Sequence, residues 1–554
     1  MPLVHAPVLG LISVNDVYTL THLPRLASLV AHHRKHTPAD RWLVVVAGDF
    51  LAPSLLSSLD GGRRMVRALD ALGVTHVIFG NHEDDLEPSE LLARVREFRG
   101  VWLGTNVHGF PHPLPASDVV EVEGRRVGLV GVVMTDPAVY RRPPFGGVTL
   151  DDPNEAVARE ATRLRAEGCH AVIALTHQWL TDDRALAARG VVSLIVGGHE
   201  HDAHQERIGQ TALSKSGMDA THAAIVTVEL REPPRVTVRL EPVAAYPEAP
   251  ALAALVTEAH DFVERLSGAV LVPALPHPLS AGGSRATQTS MGTFVCSHLR
   301  DALAADVGLF NGGGIRGTAV HTVDLTLGDL RNELPFDNEV VVTRLPGAVV
   351  RDAVAYSRRH APRGDGGFLQ VDDQVRFADD GRTPTHLAGA TLEPDRLYRV
   401  AVPRPHLTGL DRIEPLERYA RTHGDVVPPL GTGREARLVL LEALARERLL
   451  RLGGFDALDL DHDGRVTRQE LGAALAKEGA PPSDATLSLV LDTLDQNHDR
   501  QLTRAEVDGS ENDSENDSES ENDSESENGN ESGNGNGNEN GNGNGNGDGD
   551  GNKP

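Results

Sequence analysis

Only two cysteines, Cys169 and Cys296, occur in 554 residues. Two alone build neither a disulfide framework nor a cysteine metal site. Both read as buried thiols, which suits a reducing compartment. No apolar run approaches the ~20 residues of a membrane-spanning helix. The opening Met1-Pro2-Leu3-Val4-His5-Ala6-Pro7 lacks the basic stretch that begins an export signal. The expectation is a cytoplasmic chain with no membrane partner. Positive charge is scarce as well: 53 Lys+Arg face 80 Asp+Glu, for a net charge of −27. That balance argues against a nucleic-acid polymer as partner. The charge is uneven, however. Residues 507–554 hold 14 acids and one lysine, so the first 506 residues carry −14. The chain as a whole is therefore not an acidic disordered polymer.

What is present divides into several units. Residues 1–245 alternate short Val/Ile/Leu-rich runs with amphipathic segments. Runs at 8–14, 42–47, 74–79, 171–175 and 191–196 read as buried strands of an α/β layer, and 94–98 and 155–167 as parts of helices between them. Proline-rich sequence near 244–250 marks a boundary. A linker at 246–268 contains a predicted helix over 251–266. Residues 269–445 form a second mixed α/β region, and 450–507 set two acidic loops between helical stretches. From 508 to 554 the chain turns to Ser/Glu/Asn/Asp and then Gly-Asn repeats. With nothing apolar to offset ordering entropy, that tail is expected to be disordered.

Each of the five strand-like runs ends on a candidate metal ligand. They lead into Asn15-Asp16, Gly48-Asp49, Gly80-Asn81-His82-Glu83-Asp84-Asp85, Thr176-His177 and Gly197-Gly198-His199-Glu200-His201. In open α/β sheets, sites form beyond the carboxyl ends of strands, so these five tips converge on one edge. A carboxylate bridges two cations, imidazole favours Zn, Mn, Fe or Ni, and an amide oxygen fills a remaining position. Two cations hold a nucleophilic hydroxide and neutralise a phosphoryl oxygen. One histidine after one strand is more simply a hydrogen-bonding residue, but five independent loops have no structural reason to share this chemistry.

In order and spacing, these segments resemble the calcineurin-like metallophosphoesterases of the 5′-nucleotidase family, over about the first 445 residues. The resemblance implies a four-layer β-sandwich flanked by helices, followed by an α/β nucleotidase C-terminal domain. It implies two divalent ions drawn from Zn, Mn, Mg, Fe or Co. Asp49 would bridge them, Asp16 and His201 would hold one, and Asn81, His177 and His199 the other. His82, paired with Asp85, would instead stabilise the phosphoryl transition state and the leaving oxygen. The family's first motif is usually Asp-x-His, and that His is a ligand. Here the sequence looks like a variant subgroup reading Asn15-Asp16-Val17-Tyr18. A phenol of pKa near 10 is a poor ligand at neutral pH. Either the first site binds more weakly or prefers Mn²⁺ or Mg²⁺, or Tyr18 lines the pocket while water completes the shell.

In the second region, Asn311-Gly312-Gly313-Gly314-Ile315-Arg316 matches a family motif. Glycines allow close backbone approach, and Arg offers phosphate a planar fork. By resemblance, Arg285, Asn311 and Arg316 would hold the phosphate or ribose side, and Phe336 would stack on a base. The helix-start motif departs from Arg-x-x-Glu-x-Asn-x-Gly, reading Gln288 and Ser290 at two of its positions. A second stacking aromatic has no equivalent near Ile413. Phosphate handling is thus better supported than base recognition. Two domains imply a cleft, with hinge motion about the 251–266 helix.

The segment from Asp459 to Glu470 fits a calcium-binding EF-hand loop, with ligands from Asp459, Asp461, Asp463, the Arg465 carbonyl, Thr467 and a bidentate Glu470. A second loop offers Asp495, Asn497, Asp499, the Gln501 carbonyl, Thr503 and Glu506. There Arg500 replaces the turn glycine, which costs strain and lowers affinity. The last exiting helix is short, so an α-helical pair acting as a calcium-stabilised appendage is expected rather than a full sensor.

The leading expectation is a hydrolase that removes phosphate from nucleoside 5′-monophosphates by attack of a metal-bound hydroxide. Its partner would be a small nucleotide or phosphate ester. The enzymatic alternative is a 2′,3′-cyclic nucleotide phosphodiesterase or nucleotide-sugar pyrophosphatase. The non-enzymatic one is a calcium-binding protein whose phosphatase domain lost activity through Tyr18. The intact His82, Asp85 and remaining metal residues argue against it.

Overall fold

The computed structural model describes residues 6–509 except 141, 142, 318, 337 and 480, so the expected tail at 510–554 lies outside the described residues. Two six-stranded sheets form the first domain. One runs Arg235–Pro242, His222–Glu229, Val8–Val14, Arg41–Val46, His76–Ile78, Val101–Leu103. The other runs Ala203–Ile208, Thr211–Ser216, Leu194–Gly198, Cys169–His177, Arg125–Val133, Ser117–Val122. Strand alternation separates the layers. Leu9, Leu11 and Val45 face Leu129, Ile173 and Val196 in the core between the sheets. Ile12, Val14, Val44 and Val46 point the other way, onto helices including Leu23–His36 and Arg63–Leu72. The second sheet is covered by Pro153–Ala166 and Leu180–Arg189. The expected four-layer sandwich is formed.

The strands that carry the candidate ligands are consecutive and parallel in each sheet. Val8–Val14, Arg41–Val46 and His76–Ile78 run together, as do Cys169–His177 and Leu194–Gly198. Their carboxyl ends therefore share one edge. The predicted helix after the proline-rich boundary spans Pro250–Leu266. It starts in the first domain's outer core through Leu252 and ends at Leu266 in the next core.

The second domain is built on a five-stranded sheet ordered Leu369–Val371, Val307–Asn311, Leu397–Pro403, Glu339–Pro346, Arg434–Glu435. Ser290–Ala302 covers one face and Gly347–Ser357 the other. Ala436–Arg451 leads into the EF-hand pair. Its two loops are joined by an antiparallel pair in which Val466 faces Leu502 and Thr467 faces Gln501. Asp508, expected to open the tail, instead closes the last helix, Arg504–Asp508, and accepts a hydrogen bond from Phe455 N at 3.1 Å. Both cysteines are buried free thiols. Among the described residues, no helix is long and apolar enough to cross a membrane.

Candidate metal centre

All six expected ligands gather at the shared edge. Asp16, Asp49, Asn81, His177 and His199 are buried, and His201 sits at the rim with 34% of its side chain exposed. Ligand atoms of Asp49, His177 and His199 all lie within 4.8 Å of one another. His177 Nε2 is 3.1 Å from Asp49 Oδ2, and His199 Nδ1 is 3.1 Å from Asn81 Oδ1. Two donors bound at ~2.1 Å to one cation, at right angles, stand about 3 Å apart. The ring nitrogens His177 Nε2 and His199 Nε2 are buried without a well-aligned hydrogen-bond partner. Such orphaned polar atoms are costly unless something else satisfies them. The donor set thus fits divalent cations.

The backbone holds these groups in unusual conformations. Asp16, Asp49 and His199 have φ of +53°, +54° and +85°. A left-handed non-glycine residue costs roughly 1–3 kcal/mol, and such strain concentrates at functional sites. Glu83, which sequence reasoning did not single out, secures one of these turns. Its buried carboxylate accepts from the backbone N–H of Asp49, Phe50, Leu51 and Gly80 at 2.6–3.0 Å. Gly80 itself must lack a side chain, since a β-carbon there would stand 2.1 Å from Asp49 Oδ1. Asn15 anchors the Asp16 turn by donating to Asp16 Oδ2 at 2.6 Å and accepting from Ser216 N at 2.7 Å.

A buried lysine, also missed, fixes the histidine loops. Lys215 Nζ donates to the carbonyls of Gln178 and Gly198, both at 2.7 Å, and pairs with Asp183 at 2.9 Å and with Glu200. Gln178 and Gly198 are the chain neighbours of His177 and His199. Trp179 packs edge-on against His199, with ring centroids 4.1 Å apart.

Burial pushes the Asp16 carboxyl up to about 7 against the pull of His177. Burial also disfavours ionised Asp49, but His177 and His82 outweigh it and hold that carboxyl well below its usual range. His177 is lifted to about 9: burial opposes its charge, and Asp49 overcomes it. Burial and the neighbouring His177 keep His199 well below its ordinary value, and burial lowers His201 too. Cation binding requires ionised carboxylates and neutral imidazoles, so a cation here must displace the proton that Asp49 holds on His177.

The Tyr18 hydroxyl enters this cluster, 3.2 Å from Asp16 Oδ1, 3.4 Å from Asp49 Oδ2 and 3.1 Å from His201 Nε2. Burial and then Asp16 push its pKa well above the usual phenol value, so it is a neutral donor. His82 lies alongside. Its N–H donates to Asp49 Oδ1 at 2.8 Å, and its Nδ1 pairs with Asp85 at 2.8 Å.

In the second domain, Asn311 ends the Val307–Asn311 strand and donates to Asp411 Oδ2 at 2.9 Å. Arg285 is exposed, and its backbone lies against Gly312. Arg316 is exposed beside Phe336, its guanidinium carbon 5.8 Å from that ring's centroid; Phe336 is 47% exposed. Ile413 is wholly buried in the core and covers no ligand surface. The contact that reaches the metal cluster comes from an unexpected residue, Gly431. A β-carbon there would stand 3.1 Å from Asn81 Nδ2 and 3.3 Å from His82 Nε2. Glu339 accepts from Gly431 N and Gly433 N at 3.1 and 2.9 Å and so ties this turn down.

The two EF-hand loops hold their last glutamates in the same way. Glu470 accepts from Leu460 N and Thr467 N at 2.9 and 2.8 Å; Glu506 accepts from Gln496 N and Thr503 N at 2.8 and 2.7 Å. Asp459, Asp461 and Asp463 bring carboxylate oxygens within 4.8 Å of one another. In the second loop, Arg500 takes φ +69°, the strained conformation anticipated from its place in the motif.

A four-layer sandwich with an Asp/Asn/His cluster on its strand tips defines a calcineurin-like phosphoesterase. That family's model matches residues 12–203, the 5′-nucleotidase C-terminal domain matches 269–418, and an EF-hand domain pair matches 446–507. The chain belongs to the calcineurin-like metallophosphoesterases of the 5′-nucleotidase family and carries an EF-hand pair. Among its relatives is the endonuclease YhcR of Bacillus subtilis, 25% identical over 460 residues, 72% of this chain and 37% of that protein. The trifunctional nucleotide phosphoesterase protein YfkN of the same organism is 22% identical over 59% of this chain and 26% of its own length. This chain therefore spans well under half of either relative. A probable 5′-nucleotidase of Treponema pallidum is 27% identical over 32% of this chain and 30% of its own. The NAD nucleotidase of Haemophilus influenzae shares the fold at TM-score 0.62 and 14% identity, over 78% of this chain and 94% of its own.

Proposed function

We propose that this protein is a di-metal phosphohydrolase that removes phosphate from nucleoside 5′-monophosphates. The observation that carries the reading is the convergence of six ligand side chains on one edge with the His82–Asp85 pair beside them. Asp49 would be shared between two cations, with Asp16 and His201 on one side and Asn81, His177 and His199 on the other. Two divalent cations there supply Lewis acidity toward a phosphoryl oxygen and a lowered pKa for water. The chain's own groups do the rest. Asp85 fixes the His82 ring through Nδ1, so Nε2 is the atom that hands a proton to the departing oxygen. Asp49 accepts the His82 backbone N–H and holds that residue beside the cluster. Arg285, Asn311 and Arg316 would grip the polar part of the substrate, with Phe336 against a base.

A second reading, a phosphodiesterase on cyclic nucleotides or a nucleotide-sugar pyrophosphatase, draws support from two observations. Ile413 is buried and offers no surface to a base, and the relatives include proteins named as an endonuclease and a trifunctional phosphoesterase. Assays with AMP, 2′,3′-cyclic AMP, a nucleotide sugar and p-nitrophenyl phosphate, each in Mn²⁺, Zn²⁺ and Mg²⁺, test the two. AMP turned over most efficiently supports the nucleotidase. Preference for the cyclic ester or the pyrophosphate bond replaces it with the second reading. Hydrolysis of none by fully metal-loaded protein overturns both.

A further inference from the structure

The EF-hand pair is not an appendage. Its Asp484–Leu494 helix packs on the first domain's Leu55–Asp60 helix and on the connecting Pro250–Leu266 helix. Leu489 of that helix shares one apolar cluster with Leu59 of the first domain and with Leu330 and Leu440 of the second. The Thr486 hydroxyl accepts from Val270 N at 3.1 Å, and buried Arg448 donates to Val270 O at 2.6 Å while pairing with Glu478. The module is thus wedged against both other domains by core packing and buried polar contacts, which hold more firmly than surface ion pairs.

The second calcium loop also approaches the first domain. His498, whose Nδ1 pairs with Asp495 O at 2.7 Å, lies so close to Gly61 that a β-carbon there would stand 2.7 Å from its Cδ2. A cavity of about 290 Å³ lies at this junction. Its walls include Asp495 and His498 of the loop, Ser54 and Ser57 of the first domain, Asp85, and Glu435 of the second. Asp85 is the partner of His82. Chain from Asp49 reaches the wall at Ala52, and the Asp49–Leu51 turn is the one Glu83 cradles. A single small chamber therefore adjoins the second calcium loop, the His82–Asp85 pair and the segment leaving Asp49.

From this juxtaposition we infer that calcium at the second EF-hand loop is an effector of the phosphohydrolase centre, favouring the arrangement in which His82 and Asp85 are paired. The inference rests on the proposed function for its effect on rate, not for its effect on structure. Two of the loop's carboxylates are already held in place while the module is docked, Glu506 by Gln496 N and Thr503 N and Asp495 by Arg500 N. A cation that binds this loop stabilises the docked state over any state in which the loop has opened, and only such differential binding shifts the balance. Without it, the carboxylates of Asp495, Asp499 and Glu506 repel one another and left-handed Arg500 is free to relax.

The test uses the full chain with its metal centre loaded with Mn²⁺. Calcium is titrated while heat of binding, hydrogen exchange of segments 52–61 and 84–90, and hydrolysis of p-nitrophenyl phosphate and AMP are followed. Calcium is expected to slow exchange in both segments and to raise kcat/KM by at least about fivefold. Glu506→Gln should abolish both responses. His498→Ala should still bind calcium, keep its calcium-free rate, and lose most of the response in segment 52–61. Calcium binding at the second loop with unchanged exchange in these segments overturns the inference. So does an unchanged rate in protein that hydrolyses either ester, or a rate effect that persists in Glu506→Gln and therefore arises at the metal centre. Slowed exchange in protein that hydrolyses no ester retains the structural coupling and removes the proposed function instead.

Discussion

The Tyr18 hydroxyl stands 3.1 Å from His201 Nε2, and the same oxygen reaches Asp16 and Asp49. One phenol thus occupies the centre of the groups assigned to the first cation. Tyr18→His should supply a true ligand and raise Mn²⁺ affinity there by about tenfold or more, the scale on which a group at a metal site acts. Tyr18→Phe should change affinity far less. Calorimetric titration of the three proteins checks this; equal affinity in Tyr18→His would show that position 18 lies outside the cation's reach.

His82→Ala is predicted to lower kcat by about 10²–10⁴, the usual worth of a positioned proton donor. Metal content, measured by elemental analysis, should stay at two per chain. Asp85→Asn should cost less, because it disturbs the ring's orientation without removing the ring. A His82→Ala protein with full turnover would leave the proton without its assigned source.

Lys215→Met should destabilise the fold by about 3–5 kcal/mol, because it strands Asp183 and Glu200 as uncompensated charges. Both Lys215 and Asp183 have fully buried side chains. Urea unfolding measures the loss. Metal affinity should fall in parallel, since the carbonyls next to His177 and His199 lose their common donor.

Asp492, on the helix that docks against the first domain, is pushed up to about 6 by burial, against weaker opposing pulls from His498, Arg468 and Arg63. Its unfolded value is near 3.8. The folded chain therefore holds this proton where the unfolded chain has lost it, and stability falls as pH rises from about 4 to about 6. Asp492→Asn should melt at higher temperature than the parent at pH 8 in chelator, and at the same temperature at pH 3.5. A difference that persists at pH 3.5 would assign the effect to packing instead of ionisation.

Gly431→Val should impair AMP hydrolysis while melting close to the parent. Its left-handed backbone, φ +78°, adds roughly 1–2 kcal/mol of strain. The larger effect comes from the branched side chain entering the space beside His82 and Asn81. A normal kcat/KM would show that this turn moves aside before substrate arrives.

The strands that carry the ligands were legible because they are buried on both faces and read as continuous Val/Ile/Leu runs. The run at 8–14 is reproduced residue for residue, and 42–47 lies one residue from Arg41–Val46. Edge strands were not legible. Ala203–Ile208 alternates exposed and half-buried positions and contains His, Gln, Glu and Arg, so no apolar run announces it. The ligand residues themselves were visible from chemistry at strand tips. Their supports were not: Glu83 looked like one more acid in an acidic loop, and Lys215 like a polar residue between two serines. Gly431 gave no local signal, because what it approaches lies some 350 positions earlier in the chain. The same holds for the EF-hand pair, whose loops could be read ligand by ligand while their docking partners could not.

Leu59, Leu440, Leu444 and Leu489 meet in one cluster drawn from three domains. A chain cut after residue 445 would lose Leu489 and uncover apolar surface on Leu59, Leu440 and Leu444. The EF-hand pair and the two domains before it are thus parts of one continuous core.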